Sequence, residues 1–328
     1  MAKPKIVSLL PPIGWTPLSE RLAIAVDMSS VELVELGKKA AAEEEICEAC
    51  KGATLIIGDY SAENYISRRV LEAAEGVRHV QFGSKGFDGV DLKAATEMGV
   101  TVSNGFGDGV AVAEHTMMLI LSLLRHTVHA HTSMKRGEWR QWEVLKETRP
   151  LRGMTLGILG LGTIGREVAK RARPFDVRTL YHKRSRLPEE EEESLGVEYR
   201  GFDQLLQESD ILSLHLPLAE ETQGLIGRRE IALMKEGAIL INTARGQLVD
   251  EGALAEALED GRLWGAAVDY EPLAPDSPLR SLDNVLLMPH CAVGGGTSES
   301  SRMSAHKLAQ NIARVLAGEK PFNIVNDL

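Results

Sequence analysis

Cysteine is scarce in this chain: three residues in 328, at positions 47, 50 and 291. Three thiols do not make the disulfide framework of a small secreted domain, so a reducing cytoplasm is the expected setting. Cys47 and Cys50 do form a C-x-x-C. They sit inside the Ala/Glu-rich helical stretch Glu43–Lys51 with no further ligand nearby, and neither a redox nor a zinc role is expected of the pair. Long hydrophobic runs are missing too. Met117–Leu124 is far shorter than the ~20 residues a spanning helix needs, so no membrane is expected. The apolar run from Met1 to Leu10 is cut by Pro11, Pro12 and Gly14, without the small-residue cleavage site of a signal peptide. Positive charge is in deficit, with 37 basic against 47 acidic side chains and a net charge of -10. That balance argues against a nucleic-acid partner. No internal repeat is present.

What is there is an ordinary globular composition, 44% hydrophobic and 26% charged, in a chain long enough for two cores. Short apolar runs alternate with helix-length segments. Lys5–Leu10, Thr54–Ile57, Val77–Phe82 and Val100–Ser103 read as buried parallel strands, separated by helical patterns over Val31–Ala49, Ala62–Ala74 and Asp91–Met98. Val110–His131 reads as one long helix, followed by a polar, Trp-containing connector, Lys135–Arg152. A second series of strands follows: Thr155–Leu159, Val177–Tyr181, Ile211–Leu214, Ala238–Asn242, Gly265–Val268 and Val285–Met288. Ser298–Leu316 reads as a final long helix, and the acidic run Glu189–Glu193 as a solvated helix start. Alternation of this kind predicts an α/β protein of two doubly wound parallel-sheet domains.

The segment Thr155–Gly165 contains Gly160-Leu-Gly162-Thr163-Ile164-Gly165 between an apolar strand and an amphipathic helix. In that setting Gly160 permits the tight turn, Gly162 lets a pyrophosphate approach the backbone, and Gly165 lets helix pack on strand. The helix amino terminus offers N–H groups and partial positive charge to the phosphates. The next strand normally ends in a carboxylate for the adenosine ribose. Here it runs into His182-Lys183-Arg184-Ser185-Arg186, with no carboxylate before Glu189. These cations and the hydroxyl suit a 2′-phosphate, which predicts NADP(H) over NAD(H); a solvated basic turn is the alternative.

Reducing a 2-oxo acid requires a cation for the carboxylate, a proton donor at the carbonyl, and a group that keeps the donor charged. Arg245, in Asn242-Thr243-Ala244-Arg245-Gly246, can fork onto a carboxylate. His290, in Pro289-His290-Cys291, has the near-neutral chemistry of a reversible proton donor. Glu271, in Asp269-Tyr270-Glu271-Pro272, can pair with the imidazolium. All three follow apolar strands, where open α/β sheets place ligands. Thr243 and Asp269, at the ends of the same strands, are counted with Thr163 and Ile164 among the cofactor-binding residues. Taken singly, these could be a surface salt bridge, a core histidine and a turn cap.

Their order is more informative. Gly157–Gly165, Asn242–Gly246, Glu271–Leu273 and Pro289-His290 resemble the landmarks of the D-isomer-specific 2-hydroxyacid dehydrogenases. So do Val112–His115, His215–Pro217 with Glu221-Thr222, and the loop Gly83–Asp91. The resemblance implies that Arg245 binds substrate, His290 is the acid/base and Glu271 its partner. Ser84, Lys85 and Gly86 would hold the substrate carboxylate, mainly through backbone N–H groups. It implies a Rossmann cofactor domain, 105–297, inserted in a smaller flavodoxin-like substrate domain, 1–104 plus 298–328, with substrate in a cleft that closes. Helix 110–131 and its connector resemble the family's dimer arm, implying a homodimer. Tyr181–Pro188 resembles the NADP-preferring glyoxylate/hydroxypyruvate reductase branch. One departure stands out: only Tyr270 separates Asp269 from Glu271, a shorter segment than usual, which bears on whether Glu271 reaches His290. A phosphite dehydrogenase and a non-catalytic, dinucleotide-sensing corepressor are the competing readings on the same fold.

Overall fold

Strands covered on both faces are built mainly of buried residues, as in Leu55–Gly58 and Ala238–Asn242, because neither face of such a strand meets water. The structure is a computed structural model and describes residues 3–11, 16–59, 63–105, 107–270, 273–292 and 299–328. The chain divides into two compact units. One comprises Met1–Gly107 with Gly295–Leu328, and the other Asp108–Gly294.

The first unit holds a five-stranded parallel sheet: β1 (Lys5–Ser8), β2 (Glu32–Glu35), β3 (Leu55–Gly58), β4 (His79–Phe82) and β5 (Thr101–Ser103), in the order β2-β1-β3-β4-β5. Alternate residues feed opposite faces. Val7, Ile56, Val80 and Val102 pack against helices Glu43–Cys50, Arg68–Ala73 and Leu92–Glu97. Ile6, Leu55 and Ile57 pack against Leu18–Leu22 and the long helix Glu299–Leu316. Each such fully buried aliphatic side chain contributes about 1.5–3 kcal/mol.

β2 corrects the helix expected over Val31–Ala49. Residues 32–35 pair in register with β1, and the helix begins only at Glu43. Glu32 and Glu35 are exposed because β2 is an edge strand, so their charges imitate the wet face of a helix. Cys47 and Cys50 are buried and unpaired, and burial pushes the Cys50 thiol up to about 12, an inert pair.

The second unit holds seven parallel strands: β6 (Thr155–Leu159), β7 (Arg178–His182), β8 (Val197–Tyr199), β9 (Ile211–Leu214), β10 (Ala238–Asn242), β11 (Leu263–Asp269) and β12 (Val285–Met288). Their order is β12-β11-β10-β9-β6-β7-β8. The chain winds outward from β6 to β8, then returns to β9 on the other side of β6. The switch point therefore lies between β6 and β9, where such sheets open for a ligand. Helices Val110–Leu124 and Thr163–Ala172 cover one face; Phe202–Glu208, Arg228–Leu233 and Glu251–Glu259 cover the other.

Two further expectations are corrected here. The helix expected over 110–131 is two helices, Val110–Leu124 and Thr127–Lys135, because His126 adopts a left-handed φ of 49° that an α-helix cannot pass through. The helix start at Glu189 forms, but Glu192 is buried rather than solvated. Among the described residues no helix is long and apolar enough to cross a membrane.

Candidate dinucleotide and substrate site

The three glycines of the turn after β6 have different physical reasons to be glycine. Gly160 has φ of +99°, and a Cβ there would stand 2.6 Å from the His215 carbonyl oxygen across the switch point. Gly165 lies on the buried face of helix Thr163–Ala172, where a Cβ would meet the Gly160 oxygen at 2.4 Å. Gly162, the N-cap, has nothing within 4 Å of that position and no side-chain cap. An open N-terminus beside bare backbone is what a pyrophosphate requires, so these residues fit a dinucleotide. Thr163 is exposed and Ile164 half-buried. A Cβ on Gly109, at the start of helix Val110–Leu124, would lie 3.1 Å from Ile164, so the two helix starts are in contact.

At the end of β7, Lys183 is half-buried, Ser185 is exposed, and Arg184 is 94% exposed with Glu221 3.9 Å away. Arg186 is committed elsewhere. Its guanidinium donates to Glu192 at 2.9 and 2.7 Å, and the Tyr181 hydroxyl donates to the same carboxylate at 2.6 Å. Arg186, then Tyr181, holds the Glu192 carboxyl below the usual range; burial, then Glu192, pushes Tyr181 up to about 12. The cluster closes the turn through the Leu187 N–H, which donates to the Tyr181 hydroxyl at 2.9 Å. Sequence reading pooled Arg186 with the other cations, since nothing local marks Glu192 as its partner.

Strands β10, β11 and β12 end side by side and deliver the remaining candidates. Asn242, fully buried, donates its amide to the Arg245 carbonyl at 2.8 Å and accepts the Ala244 N–H at 3.0 Å. The Thr243 hydroxyl pairs with Thr116 at 3.0 Å, and the Tyr270 ring lies against Gly246, where a Cβ would be 3.0 Å from it. Arg245 is thus presented by a braced loop.

Asp269 is fully buried. Its two oxygens accept the backbone N–H groups of Cys291 at 2.8 Å and Ala292 at 2.9 Å. Those bonds pin the turn carrying His290, which has a left-handed φ of 54°, a conformation rare outside glycine. The geometry therefore gives Asp269 a positioning role that sequence reading missed. Asn242 was missed too, for lack of any signal beyond its place in the motif. Glu271 lies outside the described residues.

In the first unit, Ser84, Lys85 and Gly86 follow β4. All three of their carbonyls are engaged: Ser84 by the Gly105 N–H at 2.5 Å, Lys85 by Asn104 at 3.1 Å and Gly86 by the Ser84 hydroxyl at 3.2 Å. Burial, and then the charge of Lys307, lowers the Lys85 pKa.

Comparison with known proteins gives the same outline. Residues 117–292 match the family model for the NAD-binding domain of D-isomer-specific 2-hydroxyacid dehydrogenases. A glyoxylate reductase of Aeropyrum pernix is 44% identical over 268 residues, 78% of each chain. A hydroxypyruvate reductase of Thermotoga maritima is 38% identical over 257 residues, 76% of this chain and 81% of that one. The crystal structure of a glyoxylate reductase from Paecilomyes thermophila superposes with a TM-score of 0.85 at 30% identity, covering 99% of each chain.

Proposed function

The chain belongs to the D-isomer-specific 2-hydroxyacid dehydrogenase family, and from that premise we propose that it reduces glyoxylate or hydroxypyruvate with NADPH as a homodimer. Its reaction class is hydride transfer between a nicotinamide and C2 of a small 2-oxo or 2-hydroxy acid. The observation that carries the finer reading is the convergence of the Gly160–Gly165 turn, Arg245 and His290 on the carboxyl edge of one parallel sheet.

When bound, the nicotinamide supplies the hydride. Arg245 forks onto the substrate carboxylate and polarises the adjacent carbonyl; within the first unit, the N–H groups of Ser84, Lys85 and Gly86 are donors suited to a carboxylate. Protonated His290 gives its proton to the carbonyl oxygen as C2 is reduced. Asp269 holds the His290 turn, and Glu271 keeps the imidazole charged. Thr163 and Ile164 bring the helix N-terminus to the phosphates, with Thr243 alongside the cofactor.

The preference for NADPH is supported by Lys183, Arg184 and Ser185, which stand where a ribose-binding carboxylate would reject a 2′-phosphate. NAD(H) serves as the slower cofactor. The dimer is supported by exposed apolar side chains along helices Thr127–Lys135 and Gln141–Glu147 and the segment joining them, among them Met134, Trp139, Trp142 and Leu145, a patch that calls for cover. The unpaired thiols Cys47 and Cys50 suit a reducing cytoplasm.

NADPH and NADH oxidation, followed separately against glyoxylate, hydroxypyruvate, pyruvate and a bulkier 2-oxo acid, tests this directly. The expected result is faster turnover with NADPH on one of the first two, lost in His290→Ala while cofactor binding persists. Full activity in that variant would remove His290 from the mechanism. Light scattering at twice the chain mass tests the dimer.

A further inference from the structure

Three side chains with metal-binding chemistry meet beside His290, all within the second unit. His115 lies on helix Val110–Leu124, Asp269 ends β11 and Cys291 follows β12. An imidazole nitrogen, a carboxylate oxygen and the thiol sulfur all lie within 4.8 Å of one another. Nε2 of His115 stands 3.8 Å from Oδ2 of Asp269, too far for a hydrogen bond. That nitrogen is buried and has no hydrogen-bond partner among the described residues. Buried polar atoms are rarely left so, because the lost hydration is not recovered.

We propose that His115, Asp269 and Cys291 bind a single zinc-like divalent cation, which inhibits the enzyme by fixing the turn that carries His290.

The donor set selects the ion. Nitrogen, oxygen and sulfur together suit zinc, whereas magnesium and calcium take oxygen ligands. In a tetrahedral zinc site the ligand atoms stand roughly 3.3–3.6 Å apart. The observed spacings need only a small inward movement of side chains to reach that. Three protein ligands leave a fourth position for water. Asp269 already accepts two backbone N–H groups, but each carboxylate oxygen has a second lone pair, and the existing bonds orient the ligand as outer-shell partners do. Entry is from the side of Cys291, which is exposed while Asp269 is buried. Before binding, burial and the neighbouring Asp269 keep the thiol protonated. Binding breaks the S–H bond, releases the proton to solvent and forms a metal–sulfur bond, with no change of oxidation state. The inhibition rests on the role proposed for His290; the binding does not.

The test uses the full chain, reduced and stripped with chelator, titrated with Co²⁺ as a spectroscopic stand-in. One equivalent should give a near-ultraviolet thiolate-to-metal charge-transfer band that Zn²⁺ removes by displacement. Cys291→Ser, which keeps the backbone N–H bound by Asp269, should abolish the band. His115→Ala should weaken Co²⁺ binding by more than roughly tenfold, the loss that even an outer-shell change brings. No band in the wild-type chain overturns the site. So does a band that survives Cys291→Ser or vanishes in Cys47→Ser, since the thiolate would then be in the buried pair. Zn²⁺ should inhibit NADPH oxidation in the wild-type protein but not in Cys291→Ser; equal inhibition of both overturns the proposed inhibition. A protein that binds Co²⁺ as described yet reduces no 2-oxo acid would count against the dehydrogenase reading and leave the metal site standing.

Discussion

The buried side chain of Asn242 holds the main chain of Arg245, donating to its carbonyl at 2.8 Å. Truncating it frees the loop and leaves that carbonyl without its partner, a change of about 1–3 kcal/mol. Asn242→Ala should therefore lower kcat/KM for the oxo acid by about one to two decades, at 1.4 kcal/mol per decade, and leave NADPH affinity nearly intact. Steady-state kinetics beside a cofactor titration decide it; an equal loss of both would show that the brace serves the whole sheet edge.

Gly162 and Gly165 separate binding from folding. Gly165→Ala drives a methyl group toward the Gly160 carbonyl and should cost about 1–3 kcal/mol of stability. Gly162→Ala enters open space at an ordinary negative φ. It should melt with the wild type yet raise the cofactor KM by about a decade or more, equivalent to at least about 1.4 kcal/mol. Thermal melts and cofactor titrations on the two variants give opposite patterns if the turn cradles a pyrophosphate. A Gly162→Ala protein with normal cofactor KM would mean that it does not.

Lys183 and Arg184 carry the predicted cofactor preference. Hydrogen bonds to charged groups contribute about 1.5–3 kcal/mol. The double variant Lys183→Ala/Arg184→Ala should thus lose at least about tenfold in NADPH over NADH selectivity, with NADH kinetics barely moved. Unchanged selectivity would return the turn to a solvated basic surface.

His79 should make the first unit acid-sensitive. It is fully buried on β4, bonded to Thr101 and Gln81 at 2.8 and 3.2 Å, and burial lowers its pKa to about 4. Between the ordinary 6.5 and 4, the unfolded chain takes up a proton that the folded chain refuses. Stability from this source is complete above about pH 6.5, declines as pH falls toward 4, and levels off below, a total of about 3 kcal/mol. Urea denaturation at pH 7 and pH 4.5 should show the decline, and His79→Gln should reduce it, leaving the share that His215, likewise lowered to about 4 by burial, contributes in the second unit. A variant as acid-sensitive as the wild type would assign the effect to other groups.

Legibility in the sequence followed burial. Thr155–Leu159 and Ile211–Leu214 were readable to the residue because every residue in those strands is buried, leaving mostly apolar runs. β2 was hidden because an edge strand can carry charge, and β8 because its three residues have the charged, exposed Glu198 at their centre. The break at His126 has no glycine or proline to announce it. At the site, the tight turn at Gly160 and the placing of Arg245 just after a buried strand were legible since both are local features of the chain. What Asp269 holds was not legible. The groups it binds come 22 and 23 positions later, a pairing set by the alignment of β11 and β12 and not by spacing along the chain.

The Tyr181–Glu192–Arg186 cluster also bears on how this protein can change over generations. It fastens the far end of the turn after β7 to the body of the second unit, while between the fastenings Arg184 and Ser185 are exposed and Lys183 is half-buried. Arg184 and Ser185 form an exchangeable cassette: a lineage can rewrite the charge they present to solvent by substitutions that leave the scaffold untouched.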